Sequence, residues 1–157
     1  MTDARILEVV DIFADLSSEH LSLIYEICKE KVYPQGAMII EEYTPSKEIY
    51  VLLDGEVEIL VGLHEPSGPR RIAVLNRGYS FGEIALVDQG LRSASVRCIS
   101  PTCRVFELNR DSLMKLLKQN LGIGYAVMQN LALDLCLKVR QTQFLARESL
   151  LYVPRKV

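Results

Sequence analysis

The spacing of apolar residues along this chain changes twice, and the changes divide it into three parts. From Ile6 to about Lys29 the period is helical. Ile6, Val9, Val10, Phe13 and Leu16 recur every three or four residues, and Leu21, Ile24, Tyr25 and Cys28 form a second set after Ser17-Ser18-Glu19. Ser17 or Ser18 is suited to cap that second helix, with Glu19 in its first turn favourable to the helix dipole. Pro34-Gln35-Gly36 ends the helical pattern. From Met38 to Leu108 the period is two: Ile49, Val51 and Leu53 alternate, as do Val57, Ile59 and Val61. Asp54-Gly55 between them predicts a hairpin, because a type I′ turn needs positive φ at both central residues. Arg71–Leu75, Ala94–Ile99 and Cys103–Leu108 are further short strands, separated by the proline- and glycine-containing loop His64–Arg70 and the turn Asn76-Arg77-Gly78.

After Leu108 the period returns to that of a helix. Asn109 or Asp111 can cap a short helix over Ser112–Gln119, Gly122-x-Gly124 interrupts it, and a long helix runs from about Tyr125 to Leu151. The pattern predicts an α+β protein in one domain, 1–157. It consists of a helical lead over 1–30, a barrel or sandwich of short strands over 31–108, and C-terminal helices over 109–152. The long helix is apolar on more than one side. Ala132, Leu135, Val139, Thr142 and Ala146 form one seam, while Leu133, Leu137 and Phe144 lie elsewhere. One face is expected to pack on the strands and the other to meet a second copy, giving a homodimer.

Composition narrows the function classes. Of 157 residues, 49% are apolar and 24% charged, which excludes a disordered or fibrous chain. Eighteen Lys and Arg against twenty Asp and Glu leave a net charge of −2, without the basic excess of a nucleic-acid or acidic-membrane binder. Cysteines 28, 98, 103 and 136 show no C-x-x-C spacing, and neither His20 nor His64 is near one. The cysteines are expected to be small buried hydrophobes in a reducing compartment, with no metal site. No secretory leader or membrane-length apolar run is present, so a cytoplasmic protein is expected.

The segment with chemistry is Phe81-Gly82-Glu83-Ile84-Ala85-Leu86-Val87-Asp88-Gln89-Gly90-Leu91-Arg92-Ser93-Ala94-Ser95-Val96. A glycine leads into a short helical turn, Glu83–Val87, whose first amide hydrogens lack partners and suit an anion. Arg92 returns after a loop, where a strand begins, and its guanidinium can take a phosphate in bidentate fashion. Glu83 would repel that phosphate and makes sense as the acceptor for a sugar hydroxyl. The competing possibility is a Glu83–Arg92 salt bridge closing a surface loop.

The full string resembles the phosphate-binding cassette of cyclic nucleotide-binding domains, which carry Phe-Gly-Glu, Ile or Leu, Ala-Leu, a loop, and Arg-x-Ala-Ser/Thr-Val. Every one of those positions is kept over 81–96, with Glu83 and Arg92 nine apart. Tyr33-Pro34-Gln35-Gly36 and Leu53-Asp54-Gly55-Glu56-Val57 resemble the early strands of the family. The resemblance implies an eight-stranded antiparallel, jelly-roll-like β-roll after N-terminal helices, with a long last helix that closes over the ligand. It further implies that Gly82, Ile84 and Ala85 offer backbone amides to a cyclic phosphate. Glu83 would take the ribose 2′-hydroxyl, Arg92 the phosphate, and Ser93 the phosphate or base. Cyclic AMP is the expected ligand, with cyclic GMP as the alternative, and the base would be capped around Lys138 or Arg140.

The resemblance points to a regulatory sensor module rather than an enzyme. Metal-dependent enzymes on a small roll need clustered His and carboxylate ligands, which this sequence does not offer. In the catabolite-activator type of regulator a helix-turn-helix follows the long helix. Here the chain stops at Val157, six residues past Leu151, so a stand-alone sensor or a part of a longer regulator is expected, without direct DNA binding by these residues. A ligand-free dimeric scaffold of the same fold is the remaining alternative.

Overall fold

In the computed structural model the backbone is described for residues 3–151 and the side chains for residues 5–148. The order is two short 3-10 turns (Asp3–Val9 and Asp11–Phe13), helix α1 (Ser18–Tyr25), eight strands, and helices α2 (Arg110–Gln119) and α3 (Leu121–Leu151). The strands are β1 (Cys28–Pro34), β2 (Met38–Ile40), β3 (Glu48–Asp54), β4 (Val57–Val61), β5 (Arg70–Leu75), β6 (Ser80–Phe81), β7 (Ser95–Cys98) and β8 (Thr102–Asn109). They form two four-stranded antiparallel sheets, ordered β1-β8-β3-β6 and β2-β7-β4-β5. The expected α+β class and eight-stranded roll are present.

The helices cover one face of the first sheet, and the second sheet covers the other. Strand β3 shows why its sequence is almost continuously apolar. Ile49, Val51 and Leu53 pack with Leu7, Phe13, Ile24, Leu113, Ile123 and Leu131 of the helical layer. Tyr50 and Leu52 point the opposite way, into a second core with Val57, Phe81, Val96 and Val105 between the sheets. Alternation by itself does not tell a strand with one buried face from one with two.

Several caps follow the chemistry of the sequence. The Ser17 hydroxyl accepts the His20 amide at 3.3 Å, and the Asn109 side chain accepts the amides of Asp111 and Ser112 at 3.0 and 3.2 Å. Three expectations are corrected. The helical spacing from Ile6 to Leu16 belongs to two 3-10 turns rather than an α-helix, tied down by the Asn130 amide on the Ala14 carbonyl at 2.9 Å. Helix α1 ends at Tyr25, and β1 already begins at Cys28, where the apolar spacing still looked helical.

Asp54-Gly55 is not a hairpin. Only Gly55 has positive φ, and β3 and β4 lie in different sheets. The glycine is required by close approach, since a Cβ there would sit 2.4 Å from the Thr102 carbonyl. The chain turns a corner between sheets, pinned by the Glu56 amide on the Ser100 hydroxyl at 2.6 Å and the Ile99 amide on the Glu56 carbonyl at 3.0 Å. Gly124 has a similar reason. It lies inside α3 and lets the helix start close against α2, because a Cβ there would come within 2.7 Å of the Leu117 carbonyl.

Helix α3 docks only its first part. Ile123, Val127 and Leu131 are buried and Leu135 packs against the same core, whereas Leu133, Leu137 and Phe144 are exposed. At about 100° per residue the exposed three lie roughly half a turn around the helix from Leu131 and Leu135, the nearest docked residues. The seam expected from Ala132, Leu135, Val139, Thr142 and Ala146 is thus divided, since Leu135 belongs to this domain's own core and Val139 is exposed. Among the described residues, no helix is long and apolar enough to cross a membrane.

Candidate functional site

A cavity of about 580 Å³ opens between the second sheet, the segment after β6 and the middle of α3. Its volume is in the range of pockets that bury a small organic ligand, roughly 300–1,000 Å³. Gly82, Glu83, Ile84, Ala85, Arg92 and Ser93 all line it. So do Ile59, Ala73 and Leu75 from the strands, and Asp134, Lys138, Gln141 and Thr142 from α3.

Gly82 follows β6 and caps a 3-10 turn, Glu83–Leu86, one residue shorter than the spacing suggested. Its φ is +78°, in the left-handed region that favours glycine. A Cβ there would also meet the Arg92 Nη1 at 2.9 Å and the Glu48 carbonyl at 3.1 Å. The preceding Phe81 is fixed by stacking on Tyr50, with ring centroids 5.2 Å apart. Backbone and aromatic packing therefore aim the turn before any ligand arrives. The Ala85 amide is already bonded to the Gly82 carbonyl at 3.2 Å, so of the three expected amide donors it is the one engaged within the turn.

Arg92 is only 6% exposed, yet among the described residues its hydrogen bonds go to no carboxylate. Its Nε donates to the Ser46 hydroxyl at 2.6 Å, Nη1 to the Gly82 carbonyl at 3.1 Å and Nη2 to the Glu48 carbonyl at 2.5 Å. All three acceptors are neutral. A guanidinium has five N–H groups, so one on each terminal nitrogen is left over. Burial pulls the Arg92 pKa below its ordinary value, and Tyr50, Glu48 and Glu83 pull against it. The backbone on either side is clamped too, with the Arg92 amide on the Thr44 carbonyl at 3.0 Å and the Tyr43 amide on the Arg92 carbonyl at 2.9 Å. The result is a buried cation, held in one orientation by dipoles alone, on the wall of a cavity.

Glu83 is 5% exposed and pairs with Lys138 of α3 rather than with Arg92. Lys138 also reaches Asp134 one turn earlier, at 2.7 Å. Burial lowers the Lys138 pKa, but Glu83 and Asp134 outweigh it and hold the ammonium above its ordinary value. The salt-bridge alternative for Glu83 and Arg92 is set aside: the two side chains line the same cavity with different partners.

Of the two residues expected near the base, Lys138 lines the cavity and pairs with Glu83 and Asp134, whereas Arg140 is not among the lining residues; Gln141 and Thr142 of the same helix are. Sequence reasoning missed Ser46, Glu48 and Asp134. Ser46 lies in the polar loop before β3, and Glu48 contributes only a carbonyl that every residue carries, so neither gives a signal of its own. Asp134 precedes Lys138 by four residues, an ordinary helix-surface pairing whose role appears only once Glu83 is placed beside it.

The four cysteines do not share one environment. Cys98 and Cys103 are buried, Cys28 is half-buried and Cys136 is exposed, against the expectation that all four would be interior. Among the described residues, no group of three or more His, Cys, Asp or Glu side chains is placed to hold a metal ion.

The cyclic nucleotide-binding domain family matches residues 30–120, more than half of the chain, and the protein belongs to that family. Its relatives include the cGMP-dependent protein kinase egl-4 of Caenorhabditis elegans, 32% identical over 71% of this chain and 14% of the kinase. They also include the cyclic AMP receptor protein of Thermus thermophilus, 30% identical over 69% of this chain and 49% of the receptor. The crystal structure of the Thermus thermophilus catabolite activator protein superposes with a TM-score of 0.76 at 28% identity, covering 87% of this chain and 62% of that one. This chain thus spans no more than about half the length of these two curated relatives.

Proposed function

We propose that the protein is a non-catalytic, cytoplasmic regulatory module that binds a cyclic nucleotide, cyclic AMP in preference to cyclic GMP, and passes occupancy to α3. The observation that carries this is Arg92, a buried guanidinium held by three neutral acceptors on a cavity wall. A buried charge whose hydrogen-bond partners are all neutral is costly, and an anion of two adjacent oxygens, such as a phosphodiester, can pair with it directly. Gly82, Glu83 and Ile84 begin the 3-10 turn beside it, and the amides of such a turn add donors for the same group. Glu83 then faces the sugar, with Ser93 left for the phosphate or base. No catalytic or cofactor role is assigned, and nothing in the net charge of −2 favours DNA as a partner of these residues.

The link to α3 is Lys138. It joins the carboxylate that meets the ribose to the helix that lines the other side of the cavity. A ligand that changes the load on Glu83 therefore acts on α3 through one side chain. That is regulation only when the two arrangements of α3 bind the nucleotide differently.

Isothermal titration calorimetry of the full chain with cyclic AMP and cyclic GMP tests the proposal. Saturable binding of cyclic AMP, tighter than cyclic GMP, is the expected result. The reverse order overturns the base preference, and no binding of either nucleotide favours the ligand-free scaffold.

The exposed side of α3 completes the proposal. Leu133, Leu137 and Phe144 recur at heptad spacing on the side away from the core, with Arg140 between them. Exposed apolar rows of this kind are covered in stable soluble proteins, and a second copy of the same helix is a self-complementary cover. Leu137→Glu is expected to turn a dimer into a monomer in analytical ultracentrifugation without loss of secondary structure. A monomer for the unmodified chain at high micromolar concentration overturns the assembly.

A further inference from the structure

We propose that Cys98 and Cys103 are an oxidisable dithiol, which a hydroperoxide converts into a disulfide that ties the two sheets of the roll together. The two Sγ atoms lie 2.6 Å apart, against about 2.05 Å in the bonded state, so the two side chains already face each other within reach of a bond. Both side chains are almost fully buried. Cys98 closes β7 opposite Val57 of the second sheet, and Cys103 lies in β8 opposite Tyr33 of the first. A bond between them would therefore join strands that share no ladder.

Their nearness is imposed by the backbone. The Cys98 amide donates to the Ala37 carbonyl at 3.0 Å and its carbonyl accepts the Gly36 amide at 2.8 Å, while the Gln35 amide bonds the Pro101 carbonyl at 3.0 Å. On the other side Gly55 packs so tightly that a Cβ would come within 3.1 Å of the Cys103 Cα. The end of β7 cannot move away without breaking these bonds, and Gly55 limits movement of Cys103 on its side.

The surroundings keep the pair reduced until an oxidant arrives. Cys98 donates to the Ser100 carbonyl at 3.3 Å and Cys103 to the Glu56 carbonyl at 3.0 Å. Burial, aided by Cys103, pushes the Cys98 thiol up to about 12. Reaction therefore passes through brief opening of the β7–β8 turn. One thiol attacks the peroxide oxygen, giving a sulfenic acid and one water. The second thiol then attacks that sulfur and expels a second water. Two thiols and one hydrogen peroxide become one disulfide and two waters, with two electrons moving from sulfur to oxygen.

The sequence supplies a direct readout. Arg97 and Arg104 flank the pair, so trypsin releases both cysteines in the single peptide Cys98–Arg104. The reduced full chain is treated with hydrogen peroxide, alkylated with iodoacetamide in denaturant and digested. The expected peptide is unalkylated and two hydrogens lighter than its reduced form. Dithiothreitol before alkylation should return it to the doubly alkylated state. The oxidised protein should melt a few degrees higher, a gain of the order expected when a short loop is closed. Cys103→Ser should abolish both changes. If that variant does not fold, Cys136→Ser serves instead, and the cross-link must form in it unchanged. A peptide that is still doubly alkylated after the exposed Cys136 has been oxidised overturns the proposal. So does a cross-link that forms only when the oxidant is applied to the unfolded chain.

Discussion

Replacing Arg92 with alanine is expected to weaken cyclic nucleotide binding by about 2–5 kcal/mol, roughly thirtyfold to several thousandfold in Kd. The size follows from what the phosphate would lose. Arg92 is the buried cation of the cassette, and without it a ligand charge enters the cavity unpaired. The same side chain holds Ser46, Gly82 and Glu48 together, so the substitution also loosens the turn that presents the amides.

Arg92→Lys separates these effects. Lysine keeps the charge but is a point donor on a flexible stem, unable to meet three fixed acceptors and a phosphate together. Its affinity should fall between those of the unmodified chain and Arg92→Ala. Calorimetry and a thermal melt of each variant make the comparison. A change in Kd below threefold for Arg92→Ala, in a protein that remains folded, removes Arg92 from the phosphate site.

The fold was legible in the sequence wherever one local rule acted alone. Ser17 and Asn109 cap helices because their side chains reach amides two or three residues away, and that spacing is visible in any sequence. The strands of the middle third were legible because apolar residues recur at every second position, at Ile49, Val51 and Leu53 and at Val57, Ile59 and Val61, even though the residues between them are buried too. Where two local rules competed, tertiary contacts decided. Asp54-Gly55 has the composition of a hairpin, but the close approach of Thr102 and the pins from Ser100 and Ile99 turn β4 into the other sheet. Cys28 continues a helical spacing, yet it pairs with Leu108 across a ladder that no local pattern announces.

The site divides along the same line. Gly82, Glu83 and Arg92 were found because they lie in one contiguous string, and the cavity contains all three. Ser46, the Glu48 carbonyl and Asp134 reach the site from distant segments, and their contribution depends on register rather than residue type. Lys138 shows the limit most clearly. Its place on the last helix was anticipated, but its partner was not, because a buried carboxylate more than fifty residues earlier selects it.

That partner changes how the role of Glu83 has to be tested. Glu83→Gln keeps the shape of the side chain but gives up a charge-assisted hydrogen bond worth roughly 1.5–3 kcal/mol. If the carboxylate accepts the ribose 2′-hydroxyl, the loss should be about tenfold or more in Kd for cyclic AMP and should largely vanish for its 2′-deoxy analogue. The same substitution, however, releases Lys138 and with it one tether of α3. Lys138→Met removes the tether while leaving the Glu83 side chain itself unsubstituted. Should Glu83 act through the helix alone, Glu83→Gln and Lys138→Met will weaken both nucleotides equally. Should it act on the sugar, only Glu83→Gln will discriminate between them, while Lys138→Met shifts both by the same smaller factor. The comparison is a double-mutant cycle with one change made in the ligand, and a nonzero coupling between Glu83 and the 2′-hydroxyl is the expected result. Equal losses for the two nucleotides would assign Glu83 to the positioning of α3 and leave the ribose without its acceptor.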